Sequence, residues 1–273
     1  RRATTRANSY SGHTLLSSLH EQGPLGLISD FDGTLSPIVR KPEDAALSGP
    51  NLKLIGELRE LLPLIALVSG RMVEDLSEKV QLSGITYIGN HGMERLIKGQ
   101  AILAPEAQAA REALLEGKRF FESLDVPGLS IEDKIATITL HYRRTPDPEE
   151  FVSAHRAQIE ELANRLNLRC TEGMMIFELR PHHDIHKGSA FRDLVEEHSL
   201  SAAVYLGDDT TDADALRMAK SLRETGTCHC VGIGVISEEM PGSICESADL
   251  LVDGVEGVQA FLQWLIQQLR ART

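Results

Sequence analysis

Short apolar segments alternate with amphipathic helical patterns along most of the chain, and each apolar segment is followed by polar residues or glycine. Continuous apolar segments of this length are typical of strands in a parallel sheet that is buried on both faces. They comprise residues 25–28, 64–68, 85–88, 202–206, 230–234 and 248–252. Because ligands of such α/β sheets gather where the strands end, we expect a functional site at the polar residues that follow these segments.

The middle of the chain has a different pattern, with helical and alternating stretches mixed. We predict helices over 107–124 and 148–166, one half-exposed strand over 130–141 and another over 174–179. This mixture predicts a smaller α+β domain at residues 98–181, inserted into a core made of residues 1–97 and 182–273. Residues 1–22 are expected to add an N-terminal helix with Leu15, Leu16 and Leu19 on one face.

Composition narrows the possible partners. The 273 residues carry a net charge of −12, which argues against binding to nucleic acid or to an anionic membrane surface. No apolar run approaches the roughly 20 residues that span a bilayer. The four cysteines are expected to be free thiols in a reducing, cytoplasmic compartment, and Cys228-His229-Cys230 lacks the second cluster that a tetrahedral metal site needs. We expect a monomer.

The sharpest local signal is Asp30-Phe31-Asp32-Gly33-Thr34, which directly follows an apolar segment. Two carboxylates at this spacing allow one to attack as a nucleophile while the other donates and accepts a proton. They can also gather a hard cation that prefers oxygen ligands. Taken alone, this motif could also be an acidic turn that caps the end of a strand and has no catalytic role.

A second acidic cluster follows the apolar segment 202–206. It contains Asp208, Asp209, Asp212 and Asp214, whose mutual repulsion a bound cation would offset. Asp212 could instead cap the helix that begins at Ala213, and the two interpretations are compatible.

Two further motifs suit a phosphate group. Ser69-Gly70-Arg71 places a hydroxyl and backbone N–H groups between a strand and a helix, although a plain helix cap is the alternative for Ser69. Lys187 begins another helix, where it could pair with a phosphoryl group or fix the nucleophilic Asp30. A solvated lysine is the alternative.

Taken in order, these four motifs resemble the signature of haloacid-dehalogenase-like (HAD) phosphatases. The resemblance implies a Rossmann-like, doubly wound parallel core. The 118-residue interval between Ser69 and Lys187 resembles the subclass with a C2-type cap domain inserted there. Within it, the chain looks most like the trehalose-6-phosphate phosphatase family. The supporting stretches are DFDGTLSPIV (30–39), VSGR (68–71), GNHGME (89–94), IEDKIATITLHYR (131–143), FELRP (177–181) and GDDTTDAD (207–214).

The resemblance implies a Mg²⁺-dependent phosphomonoesterase that acts on a small-molecule sugar phosphate. Asp30 would attack phosphorus and form an aspartyl-phosphate, and Asp32 would serve as general acid and base. Ser69, Gly70 and Lys187 would bind the phosphate. The metal would sit among Asp30, the Asp32 carbonyl and Asp208, with Asp209 or Asp212 just behind.

The same resemblance implies sugar contacts on the cap strands. Glu132, Lys134 and Glu178 are carried over as hydroxyl-binding positions, with exposed strand charges as the alternative. The other expected substrate contacts are Arg71, Asn90, His91 and Arg180.

Three departures concern the choice of sugar more than the reaction. Ile185-His186 stands where the family often has Trp-Asp, Ala213 stands where Glu is usual, and His182, His183 and His186 crowd the third motif. Phosphatases for sucrose 6-phosphate, glucosylglycerol phosphate or mannosylglycerate phosphate therefore stay open. So does a non-catalytic regulator that binds a sugar phosphate, although Asp30, Asp32, Lys187 and Asp208 together argue against it.

Overall fold

The computed structural model describes Tyr10 and residues 12–21, 23–39, 42–238 and 240–271. Residues 1–9, 11 and 22 of the predicted N-terminal helix lie outside this part. The chain divides into two compact units, one formed by residues 1–101 and 185–273 and the other by residues 102–184. The smaller unit begins four residues later and ends three residues later than the insertion expected from the sequence pattern.

The larger unit is built on an eight-stranded sheet with the strand order β12-β11-β10-β1-β2-β3-β4-β5. The first six strands of this order are parallel, and β4 is antiparallel to β3. The strands are β1 (Leu25–Ser29), β2 (Leu64–Val68), β3 (Thr86–Gly89), β4 (Glu94–Ile97), β5 (Gln100–Leu103), β10 (Ala202–Gly207), β11 (His229–Ile236) and β12 (Leu250–Asp253).

Helices cover both faces of this sheet, so the residues of its central strands are buried throughout. One face packs against α1 (Thr14–Ser17), α2 (Gly49–Arg59), α3 (Val73–Val80) and α10 (Gly254–Arg270). The other packs against α7 (Lys187–Glu197), α8 (Ala213–Glu224) and α9 (Gly242–Ser247). The residues that directly follow these strands are therefore the expected place for a functional site.

The smaller unit is a four-stranded antiparallel sheet with the order β6-β7-β9-β8. Its helices α5 and α6 cover one face through a core that includes Leu114, Phe121, Phe151, Leu140 and Phe177. The elements are α4 (Pro105–Ala109), α5 (Arg111–Ser123), β6 (Ser130–Asp133), β7 (Ile138–His141), α6 (Pro148–Arg165), β8 (Leu168–Gly173) and β9 (Ile176–Pro181).

The prediction of one strand over 130–141 is wrong, because the chain forms the hairpin β6–β7. Ile135 adopts a left-handed φ of 65° at the turn, while Glu132 and Thr139 become direct partners on the same face. A continuous strand would place residues 132 and 139 on opposite faces, so the turn shifts the alternation of side chains by one residue.

Other elements differ from prediction in extent. The helix expected over 107–124 is divided at Ala110 into α4 and α5. Strand β9 begins at Ile176 because Met174 and Met175 form the turn from β8, an edge strand that the sequence pattern missed. The expected N-terminal helix is short in the described residues: α1 is followed by a 3-10 turn, Leu19–Glu21.

Among the described residues, no helix combines the length and apolar character that crossing a membrane would require.

Candidate active site

The polar residues that follow four neighbouring parallel strands meet at one edge of the larger sheet. Asp208 follows β10, Asp30 follows β1, Ser69 follows β2 and Asn90 follows β3. All four are nearly fully buried. The parallel register of these strands brings together motifs that are far apart in the sequence.

Lys187 links two of the predicted carboxylates. Its Nζ lies 2.7 Å from Asp30 Oδ1 and 2.8 Å from Asp212 Oδ1, and the lysine is only 3% exposed. Burial by itself lowers the pKa of Lys187, but the charges of Asp212 and Asp30 outweigh it and raise the pKa above its ordinary value. The solvated-lysine alternative is therefore wrong, and Lys187 is a buried cation at the first turn of α7.

Asp212 uses all of its oxygen positions within the protein. Oδ1 accepts from Lys187 and from the Tyr205 hydroxyl at 2.7 Å, and Oδ2 accepts from the backbone N–H groups of Asp208 and Asp209. It precedes α8 but makes no side-chain cap hydrogen bond to that helix. Its side chain therefore organises the acidic loop and holds Lys187.

Asp208 packs directly against the turn that follows Asp30. Thr34 Oγ1 donates to Asp208 Oδ1 over 3.3 Å, and a Cβ at Gly33 would overlap the Asp208 carboxylate. Gly33 also has a φ of 77°, so this turn requires glycine for two reasons. Burial raises the pKa of Asp208 to about 6, with a further contribution from Asp212. Burial, and then Asp212, also raise the pKa of Asp30, which Lys187 opposes.

Carboxylate oxygens of Asp30, Asp208 and Asp212 lie within 4.8 Å of one another, and this is the only such cluster of metal-ligand side chains in the described residues. Three carboxylates beside the single ammonium of Lys187 leave two negative charges in excess when all are ionised. A divalent cation would offset that excess, and an all-oxygen donor set suits Mg²⁺. The hydrogen bonds of Asp212 occupy both of its oxygens, whereas Asp30 and Asp208 each keep an oxygen position that could bind a cation.

Asp209 lies outside the metal-ligand cluster, contrary to its grouping with the other predicted ligands. Its side chain is exposed and accepts from the backbone N–H of Thr210, where it caps a 3-10 turn, Thr210–Asp212. Of Asp209 and Asp212, the two residues predicted to support the metal ligands from behind, Asp212 is the one that hydrogen bonds to the buried Lys187 and Tyr205.

Asp32 is held by Arg71 in a two-pronged ion pair. Arg71 Nε and Nη2 lie 2.7 and 2.8 Å from the two Asp32 oxygens, and Nη1 also donates to Asp75 at 2.8 Å. The Arg71 guanidinium lies 5.7 Å from the centre of the Phe31 ring. Asp32 is more exposed than Asp30, with 40% of its side chain accessible. Two parallel hydrogen bonds of this kind fix both partners in one orientation.

The segment around Ser69 and Gly70 is shaped by the loop that follows β3. Ser69 Oγ accepts from the backbone N–H of Arg71, so Ser69 caps a tight turn rather than α3, which begins at Val73. A Cβ at Gly70 would lie 2.6 Å from the His91 ring. Asn90 and His91 both have left-handed φ angles, of 45° and 57°. This unusual backbone explains the close approach of His91 to Gly70.

The histidines before the third motif do not form a three-ligand metal site in the described residues. His186 instead caps α7, because its Nδ1 accepts from the backbone N–H groups of Gly188 and Ser189. This cap holds the helix turn that carries Lys187.

The predicted sugar contacts lie together on the helix-free face of the smaller sheet. Glu132, Thr139 and Glu178 are direct partners across β6, β7 and β9. Glu132 lies 3.1 Å from His141 and 4.0 Å from Lys134, and Glu178 lies 4.0 Å from Arg180. These charged side chains are partly exposed, so they form a polar face with groups that can still bind hydroxyls.

Two buried groups at the core site were not expected from the sequence. Tyr205 lies inside an apolar segment and looked like a core residue, yet its hydroxyl bonds to Asp212. Glu94 is 2% exposed and accepts from the N–H of Val73, where it caps α3 from β4. Burial raises the pKa of Glu94, while this hydrogen bond opposes the shift. The sequence carried one signal for Tyr205, which is the presence of a hydroxyl-bearing residue within an otherwise apolar strand.

The parallel core, the inserted antiparallel sheet and the paired acidic loops together define a HAD-like hydrolase fold, which solved structures of that class share. A crystal structure of a trehalose-6-phosphate phosphatase related protein matches with a TM-score of 0.68 at 27% identity, covering 91% of this chain and 100% of that one. The family model described as trehalose-phosphatase matches residues 28–244. The chain therefore belongs to the trehalose-phosphatase family.

Two curated relatives agree with this assignment. A trehalose-phosphate phosphatase of Mycobacterium tuberculosis (strain ATCC 25618 / H37Rv) is 33% identical over 249 residues, covering 88% of this chain and 61% of that protein. A probable trehalose-phosphate phosphatase 2 of Oryza sativa subsp. japonica is 29% identical over 245 residues, covering 80% and 62%. The chain thus spans less than two thirds of the length of either relative.

Proposed function

We propose that this protein hydrolyses trehalose 6-phosphate to trehalose and phosphate through an aspartyl-phosphate formed on Asp30. The observation that carries this proposal is the buried arrangement in which Lys187 binds both Asp30 and Asp212 beside Asp208. Such an arrangement suits phosphoryl transfer, which depends mostly on positioning and on neutralising charge.

Asp30 is suited to in-line attack on phosphorus. Its Oδ1 is occupied by the Lys187 ammonium, which leaves Oδ2 as the attacking oxygen. Lys187 has three N–H donors, and Asp30 and Asp212 take two of them. The third is free to bind an oxygen of the transferring phosphoryl group, together with the Ser69 hydroxyl and the backbone at Gly70.

Asp30, Asp208 and the Asp32 carbonyl would hold Mg²⁺, and Asp212 would keep the loop of Asp208 in place. When bound, the cation would neutralise charge that develops on the phosphoryl oxygens. Removal of Mg²⁺ with EDTA should stop turnover and its return should restore it; indifference to both would remove the metal from the proposal.

Asp32 would protonate the leaving sugar oxygen and then take a proton from the water that hydrolyses the aspartyl-phosphate. Both of its oxygens accept from Arg71. Each carboxylate oxygen has a second lone pair, so Asp32 can take up a proton while Arg71 holds it in one orientation. Arg71 and, in the adjacent loop, Asn90 and His91 would contact the substrate.

The smaller unit would supply sugar specificity. Glu132, Lys134, Glu178 and Arg180 offer charged acceptors and donors on one face, a set suited to a ligand with many hydroxyl groups. A monomeric state and a cytoplasmic location stay predictions.

The decisive experiment measures phosphate release from trehalose 6-phosphate, sucrose 6-phosphate, glucose 6-phosphate and glucosylglycerol phosphate in the presence of Mg²⁺. We expect trehalose 6-phosphate to have the highest kcat/KM. Preference for another of these substrates would reject the named sugar and retain the reaction class.

The Asp30→Asn variant tests the covalent step. It keeps the size of the side chain but removes the nucleophilic charge, so turnover should fall more than about a thousandfold. Asp44→Asn is a matched control on an exposed acid in a 3-10 turn, Pro42–Asp44, and should keep wild-type turnover. Substantial activity in Asp30→Asn would contradict the aspartyl-phosphate.

A further inference from the structure

A cavity lies in the larger unit at the opposite end of the strands from the candidate active site. It has a volume of about 650 Å³, and its lining includes Cys228, His229 and Arg223. Cys228 is 4% exposed and Cys230 is fully buried beside it. The wall of this cavity therefore gives a small solute a route to a cysteine pair that the proposed phosphatase reaction does not use.

The backbone at this pair is bent in a way that brings the cysteines together. The N–H of Cys230 donates to the carbonyl of Cys228 over 2.8 Å, and the intervening His229 keeps a negative φ. This is the hydrogen-bond pattern of an inverse γ-turn. Two residues apart in an extended strand, Cα atoms are separated by about 6.6 Å. The turn shortens that separation toward the roughly 5.5–6 Å most common in disulfides.

The two thiols also affect each other's ionisation. The Cys230 side chain lowers the pKa of Cys228, although burial opposes the shift. The Cys228 side chain, and then burial, raise the pKa of Cys230. No third metal-ligand side chain joins the pair in the described residues, since the only cluster of three or more is the acidic one. The arrangement therefore fits thiol oxidation better than metal binding.

We propose that Cys228 and Cys230 form a peroxide-sensitive dithiol that hydrogen peroxide converts to a disulfide. The Cys228 thiolate attacks one peroxide oxygen, the O–O bond breaks, and hydroxide leaves as water after taking up a proton. The Cys230 sulfur then attacks the Cys228 sulfenic acid, the S–O bond breaks and a second water leaves. The two thiols lose two electrons and two protons in total, and one peroxide becomes two waters.

This modification site is separate from the proposed active site. Cys230 pairs with Ala203 on β10, and five residues at about 3.3 Å each place Asp208 about 16 Å further along that strand. The Nε2 atom of His229 lies 2.7 Å from the Leu15 carbonyl, so the turn also anchors the segment that contains α1. Disulfide formation would fix this turn without altering Asp30 or Asp208.

The test treats the full chain with a small molar excess of hydrogen peroxide, then denatures and alkylates it before mass analysis. The four cysteines of the wild type should fall to two alkylatable thiols, and the protein should become about 2 Da lighter before alkylation. Peptide mapping should locate the bond at Cys228–Cys230, and dithiothreitol should restore all four thiols.

The matched control is the double variant Cys170→Ser, Cys245→Ser, which retains the pair and removes the two partly exposed cysteines. It should lose both remaining thiols, whereas Cys228→Ser should form no intramolecular disulfide. Four alkylatable thiols after treatment, a disulfide that includes Cys170 or Cys245, or direct conversion to sulfinic acid would each overturn the proposal. If Cys228→Ser does not fold, the double variant alone decides the matter.

Discussion

The charged residues of the candidate active site and those of the cap sheet lie in opposite environments, the first buried and the second partly exposed. At the core site, Lys187, Asp30 and Asp212 have side chains that are at most 6% exposed, joined by contacts of 2.7 and 2.8 Å. On the cap sheet, Glu132 and Glu178 are 50% and 20% exposed, and each lies 4.0 Å from a neighbouring cation. The same types of side chain form a dry, rigid network in one unit and a hydrated face in the other.

This difference shows which charges are fixed and which remain available. Removal of one partner from a buried pair leaves an uncompensated charge, which strongly destabilises the fold. A half-exposed pair gains little from its contact because water screens it. We therefore expect the core charges to govern both folding and catalysis, and the cap charges to govern substrate choice with little effect on folding.

The largest effect is expected for Lys187→Met. This change leaves Asp30 and Asp212 buried without their cation and should lower the free energy of unfolding by about 3–5 kcal/mol. Urea unfolding in the absence of Mg²⁺ measures it. Arg156→Met breaks an exposed pair with Glu172 and should lose no more than about 1 kcal/mol. Equal losses in the two variants would contradict the distinction between buried and exposed pairs.

A smaller effect is expected for Asp133→Asn, the most strongly paired carboxylate of the cap. Asp133 accepts from both terminal nitrogens of Arg111 and from Lys118, and Arg111 holds the pKa of Asp133 well below its usual range. The variant should lose about 1.5–3 kcal/mol near neutral pH, the range for hydrogen bonds to charged groups.

The pH dependence of the Asp133→Asn difference follows from the sign of the shift. Because the folded pKa is depressed, the stabilisation is complete above the unfolded pKa of about 3.9 and is lost as the pH falls through more acidic values. The difference between the wild type and the variant should thus begin to shrink below pH 4 and continue to shrink as the pH falls further in urea unfolding. A constant difference at acid pH would argue against this pair. Glu116→Gln, on an exposed pair with Arg165, should differ little at any pH.

Tyr205→Phe should have a modest effect that separates positioning from folding. Loss of its hydrogen bond to Asp212 should cost about 0.5–1.5 kcal/mol and should lower kcat while KM stays unchanged. Tyr87→Phe is a matched control, because its hydroxyl bonds to the backbone N–H and carbonyl of Leu82. The control should lose similar stability and keep its kcat. An equal loss of kcat in both variants would show that it results from lower stability and not from the loss of the hydrogen bond to Asp212.

The smallest effect on folding is expected for Glu178→Gln. Its unfolding free energy should change by less than about 0.5 kcal/mol, because the side chain is partly solvated. Turnover of trehalose 6-phosphate should nevertheless fall much more than turnover of p-nitrophenyl phosphate, which has no sugar hydroxyls. Equal losses on the two substrates would argue against sugar recognition at this position.

Much of the core was predictable because its strands are buried on both faces and therefore carry continuous apolar segments. The cap was less predictable, since its strands are short and half-polar. Each strand of the hairpin at Ile135 has only four residues, too few to reveal that the alternation shifts at the turn, so a single strand was predicted. The edge strand β8 contributes only Leu168 and Cys170 to the cap core, which is too few apolar residues to show a clear period.

The sequence was enough to predict the family and to point to candidate reactive groups, because DxDGT, Ser69, Lys187 and the second acidic cluster are each recognised by local spacing. Tertiary structure alone decided how those groups are partnered. It placed Arg71 on Asp32, joined Asp212 to Tyr205 and Lys187, and left Asp209 outside the buried cluster. These choices depend on which strands lie side by side and on which charges lose their water, and local spacing encodes neither.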